Sequence, residues 1–142
     1  MASLTRDELV SLRMTGPEKQ ELERAASLCG QLPAPLAAAY VREGVRRTRF
    51  PAIDFRDGAP GRVAYLAGSR WPVWLMVELV NECRGDTSAA AKQMRKPEPL
   101  VKMALAYAAA YPEEIEASLQ LHAERDFEGM RQVLPTLEKL GS

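Results

Sequence analysis

The sequence predicts a mainly α-helical protein with little β-structure, and three observations carry that expectation. Apolar residues recur at helical spacing over much of the 142-residue chain. Gly and Pro divide those runs into ordinary helix lengths, often with a capping residue at the start. Alternation of apolar and polar residues is confined to Val10–Thr15 and to two short runs around Ile53 and Val63. The expected order is a lone N-terminal strand, two helices, a short hairpin, a three-helix unit and an acidic C-terminal helix.

Val10-Ser11-Leu12-Arg13-Met14-Thr15 places Val10, Leu12 and Met14 on one face of a strand and Ser11, Arg13 and Thr15 on the other. Thr15-Gly16-Pro17-Glu18 then reads as a capped helix start, with Glu at the capping-box position. Leu22, Ala25, Ala26 and Cys29 share one face of that helix, and Gly30 stops it. A second helix is expected from near Pro35 to Arg46-Arg47-Thr48-Arg49, where positive charge suits a C-terminus.

Strand, helix, turn and helix in this order resemble the ribbon-helix-helix fold of small bacterial repressors. Chemistry points the same way. A lone six-residue strand leaves backbone N–H and C=O groups unpaired, and a twofold copy of itself is the simplest partner. The paired ribbon would offer Ser11, Arg13 and Thr15 to a major groove, with Arg42, Arg46 and Arg47 on phosphate. The resemblance departs at Gln31-Leu32-Pro33-Ala34-Pro35, where two prolines remove donors that such folds turn toward a phosphate.

Ile53 and Phe55 are expected to pair with Val63 and Tyr65 across a turn at Asp57–Gly61. The hairpin feeds three helices. Val73, Val77 and Val80, with Leu75, Met76 and Leu79, make the first apolar on more than one face, as suits a central helix. Gly85 stops it, Asp86 or Thr87 caps a short helix over about 87–94, and Pro99 opens a third that continues to Tyr111. Trp71 and Trp74 are expected as packing anchors. This arrangement is helix-turn-helix-like.

The run Leu66-Ala67-Gly68-Ser69-Arg70-Trp71-Pro72-Val73-Trp74 resembles the Gly-(Ser/Thr)-Arg-x-Pro-Val-Trp signature of the small prokaryotic family called domain of unknown function 433. Val101–Tyr111 resembles that family's closing helix, and the likeness covers about residues 50–119. The resemblance implies an antitoxin paired with a toxin of the PIN ribonuclease class.

The third helix is rich in alanine, with Lys102 almost alone as a polar group. That favours protein contact over base readout there. Lys92, Arg95, Lys96 and Lys102 leave phosphate contact open. Three regions result: a dimerising, DNA-binding segment over 1–49, the helix-turn-helix-like domain over 50–111, and an acidic amphipathic segment over 112–142.

Charge supports this division. Lys+Arg and Asp+Glu both total 19, which argues against a protein that coats nucleic acid without specificity. Residues 103–142 nonetheless hold three cations and seven acids, net −4. Phe127, Met130, Val133, Leu134, Leu137 and Leu140 form an amphipathic stripe there, interrupted by Gly129 and Pro135. With Glu113 and Glu116 they are the expected contacts of a basic toxin cleft; the other reading is that the stripe folds back on the Trp71–Tyr111 core and completes it.

No nucleophile motif, glycine-rich phosphate loop or metal-ligand cluster occurs, so neither enzyme activity nor a cofactor is expected. The sole histidine, His122, reads as a surface residue. Cys29 and Cys83 lack metal-ligand spacing. Without a signal-peptide pattern or an apolar membrane span, the expected setting is the cytoplasm. The expected function is a homodimeric type II antitoxin that represses its own promoter. The alternative is a transcription regulator without a toxin.

Overall fold

The computed structural model describes residues 8–58 and 61–133. Its elements are α1 (Gly16–Leu28), α2 (Pro33–Arg49), β1 (Ile53–Gly58), β2 (Gly61–Leu66), α3 (Val73–Glu82), α4 (Thr87–Met94), α5 (Glu98–Ala110) and α6 (Pro112–Val133). The chain is thus mainly helical with one small two-stranded antiparallel sheet. It divides into two compact units between Arg42 and Glu43, within α2.

In the first unit, residues 8–15 belong to neither helix nor strand. The strand expected over Val10–Thr15 is absent from the single chain, because those residues have no second strand against which to pair. Helix α1 starts as its sequence dictates. Thr15 Oγ1 accepts from the Glu18 N–H at 3.3 Å and donates to Glu18 Oε1 at 2.8 Å. It ends at Gly30, whose φ of +66° lets the Gln31 N–H return to the Ala26 carbonyl at 2.9 Å. Ala26, Leu36 and Ala39 are the buried apolar residues described in this unit.

The second unit is built on a core of Phe50, Ile53, Phe55, Ala64, Leu66, Val73, Met76, Val80, Ala90, Ala91, Met94, Val101, Ala104, Tyr107 and Ile115. The hairpin register differs from the expectation by one residue. Ile53 faces Leu66 and Phe55 faces Ala64, while Val63 and Tyr65 oppose Arg56 and Asp54. The cause is the turn. The strands continue to the Gly58–Gly61 pair, where φ of +110° at Gly61 suits glycine, so the loop is shorter than the five residues expected.

Helices α3, α4 and α5 pack against one another as anticipated. The αL residues Arg84 and Gly85 end α3, and Asp86 caps α4 by accepting from the Ala89 N–H at 3.1 Å. Ala104 of α5 and Ala90 and Ala91 of α4 are buried, so these alanines serve packing inside the unit. Helix α6 belongs to this unit as well. Ile115 lies in the core and Leu119 packs against it, and the helix passes through Gly129 without a break. The interruption expected at Gly129 does not occur; one glycine weakens a helix but does not end it.

Candidate nucleic-acid and partner interfaces

The signature stretch at the hairpin exit is explained by its own geometry. Gly68 adopts φ of +68°. The buried Ser69 hydroxyl donates to the Leu66 carbonyl at 2.7 Å and accepts from the Trp71 N–H at 3.1 Å. Arg56 donates to the Ser69 carbonyl at 2.6 Å, and its guanidinium lies over the Tyr65 ring at 4.5 Å. Leu66 N–H donates to the Trp71 carbonyl, and Tyr65 bridges Pro72, which opens α3. The motif therefore fixes how β2 turns into α3. Arg70 remains on the surface, without an ion pair among the described residues.

Ser11, Arg13 and Thr15, the expected base-reading residues, are all exposed in the first unit. Thr15 carries a second duty as the α1 cap. The intervening Val10, Leu12 and Met14 stand 80, 60 and 46% exposed, so the face expected to be buried has no cover among the described residues. Arg42 is half-buried in α2.

In the second unit, Arg46 and Arg47 are engaged within the fold. Arg46 Nη1 donates to the Tyr107 hydroxyl at 3.0 Å and to Glu114, and its guanidinium stacks on the Tyr111 ring at 3.9 Å. Tyr107 donates in turn to Glu114 Oε2 at 3.0 Å. The Tyr107 ring packs edge-on against Phe50 at 5.3 Å. Burial, followed by the negative charge of Glu114, pushes the Tyr107 hydroxyl well above its ordinary pKa. Arg47 pairs with Asp54 at 2.6 Å across an exposed contact. These partners leave both arginines less available to phosphate than the sequence suggests.

One scan against protein-family models and searches of curated proteins and of solved structures found no match.

The expected toxin contacts lie along α6. Glu113 and Glu116 are exposed near its start. Phe127, Met130 and Val133 lie on its last turns, and Leu134 and Leu137 fall outside the described residues. Midway along α6, His122 stacks on Trp74 at 4.6 Å, with Nε2 3.2 Å from Asp126 Oδ2. The histidine is a surface residue, half-covered by Trp74, with its side chain 43% exposed. An open groove of about 240 Å³ runs beside it, walled by Val63, Tyr65, Trp74, Leu121 and Arg125.

Sequence reading missed the buried ion pair between α2 and the hairpin. Glu43, 4% exposed, accepts from Arg62 Nε at 3.0 Å and Nη2 at 2.6 Å, and its other carboxylate oxygen has no partner among the described residues. Glu43 is the sole acid in α2, which was the available signal. Arg62 also bonds Asp57 and the Phe55 carbonyl, and so ties α2 to the hairpin edge. No cluster of three or more His, Cys, Asp or Glu suited to a metal occurs among the described residues. No helix among them is long and apolar enough to cross a membrane.

Proposed function

We propose that the chain is the antitoxin of a type II toxin–antitoxin pair. As a cytoplasmic homodimer it reads operator DNA through a ribbon formed by two copies of Val10–Thr15, and it holds a PIN-type ribonuclease toxin. The observation that supports the DNA-binding half is the uncovered alternation itself. Val10, Leu12 and Met14 are apolar and exposed, directly before the capped helix α1, in a unit that buries little. Pairing with a second copy gives this strand its missing hydrogen bonds and covers those side chains in one step. Ser11, Arg13 and Thr15 then face outward together, with Arg13 the long donor suited to guanine.

The toxin-binding half draws on the Gly68–Trp74 signature and on the acidic exposed face of α6, which suits the basic cleft of an enzyme that holds anionic substrate. The second reading, a regulator without a toxin, is favoured by Glu114 and Ile115. Both are committed to the fold, so the first turns of α6 serve the core.

Co-expression with the adjacent reading frame, followed by a gel shift on the protein's own upstream DNA, tests the proposal. A copurified partner and a shifted band support it. A shift without a partner favours the regulator. No shift and no partner would refute both.

A further inference from the structure

Residues 84–96 carry Arg84, Lys92, Arg95 and Lys96 against a single acid, Asp86, in a chain of zero net charge. Asp86 is occupied as the cap of α4. None of the four cations forms an ion pair, a side-chain hydrogen bond or a ring contact among the described residues, whereas Arg46, Arg47, Arg62 and Lys102 of the same unit are ion-paired and Arg49 and Arg56 lie over aromatic rings; Arg70 and Arg125 are likewise without an ion pair. Helix α4 buries Ala90, Ala91 and Met94, and so turns Ser88, Lys92 and Gln93 to the surface.

The backbone adds a second observation. Arg84 and Arg95 have φ of 57° and 56°, and they are the described non-glycine residues with positive φ. One follows α3 and the other ends α4, both at positions that favour glycine or asparagine. Both side chains are exposed, so packing does not account for arginine at either strained turn. Strain kept where no contact requires it points to a use for the side chain.

We propose that α4 and its two flanking turns form a binding surface for the backbone phosphates of duplex DNA, separate from the N-terminal ribbon. Arg84 and Arg95 stand in the turns before and after α4, with the exposed Ser88, Lys92 and Gln93 between them in sequence. Single strands are bound chiefly by stacking on aromatic side chains, and residues 84–96 contain none. The alanines of α5, which suggested protein contact, are partly consumed by packing against α3 and α4.

The Arg84→Gly, Arg95→Gly double variant of the full chain tests this surface. Glycine suits both turns, so the variant should melt no lower than wild type. Fluorescence anisotropy on short duplexes, one from the protein's own upstream region and one scrambled, gives affinity against salt. Loss of two phosphate contacts should reduce the slope of log K on log salt by about 1.8, so that between about 50 and 200 mM salt the wild type loses about twelvefold more affinity than the variant. Both duplexes should be affected alike.

Arg13→Ala should instead weaken the upstream duplex selectively, so failure of the ribbon reading and of this one are distinguishable. An unchanged slope in the double variant would overturn the proposal, as would a wild type that binds neither duplex at 50 mM salt. Tighter binding to single-stranded RNA of the same length than to duplex would overturn the assignment to duplex DNA.

Discussion

Residues 8–42 and residues 43–126 both contain apolar side chains at regular spacing, yet the two stretches place them differently. The second gathers Phe50, Tyr107, Val101, Met76 and their neighbours into one core. The first buries Ala26, Leu36 and Ala39 and leaves Leu9, Val10, Leu12, Met14, Leu28, Leu32, Tyr40 and Val41 in water. Surface apolar residues scattered singly are ordinary, whereas Leu9, Val10, Leu12 and Met14 stand exposed close together in sequence. The difference teaches that an irregular segment and two helices hold too little volume to enclose their own apolar face. Under the function proposed above, a second copy of the chain covers that face.

The comparison is broken most severely in the second unit. Tyr107→Ala leaves a cavity and strips Arg46 and Glu114 of a partner, so it should lower stability by about 3–5 kcal/mol. Chemical denaturation monitored by tryptophan fluorescence reads this, since Trp71 and Trp74 pack against that core. Leu12→Asp in the first unit should have the opposite profile. It should leave the tryptophan-detected transition in place but remove about 1.5–3 kcal/mol per copy from dimerisation, seen as dissociation in sedimentation. If Leu12→Asp lowers the tryptophan transition as far as Tyr107→Ala does, the two regions are not distinct in the way described.

Arg13→Ala is a smaller change. It should cost about 1–3 kcal/mol of operator binding per contacted base and relax specificity at that base pair, without altering the oligomer, as read by a gel shift on base-substituted operators.

Tyr107→Phe gives the mildest effect, about 0.5–1.5 kcal/mol near neutral pH, through the lost hydroxyl contacts to Arg46 and Glu114. Its pH dependence carries more information. The folded-state pKa of Tyr107 is raised above the ordinary 10.0, so the unfolded chain releases this proton first. The hydroxyl's contribution is whole below that value and declines as pH rises toward the folded pKa. Thermal melts of wild type should fall more steeply above pH 10 than those of Tyr107→Phe.

Much of the fold was legible because its signals are local. Thr15 and Glu18 cap α1, Asp86 caps α4, and Gly30 and Gly85 take the left-handed conformations that end their helices. The hairpin was legible, but its register was not. Gly58 and Gly61 read as turn residues although they form the last pair of the ladder. The partners of Arg46 were not legible, because Tyr107 and Glu114 lie 61 and 68 residues away and nothing in the α2 sequence announces them. The strained Arg84 and Arg95 escaped for a related reason. Arginine carries no turn signal, and only the backbone angles set these two apart from other surface cations.

The central claim is that residues 8–42 are completed by a second copy of the chain. Sedimentation equilibrium of the wild-type protein at micromolar concentration tests it most directly. The account predicts a particle of twice the 15.7 kDa chain mass, which Leu12→Asp reduces to one chain with its helical content kept. A wild-type protein that sediments at 15.7 kDa throughout that range would contradict it.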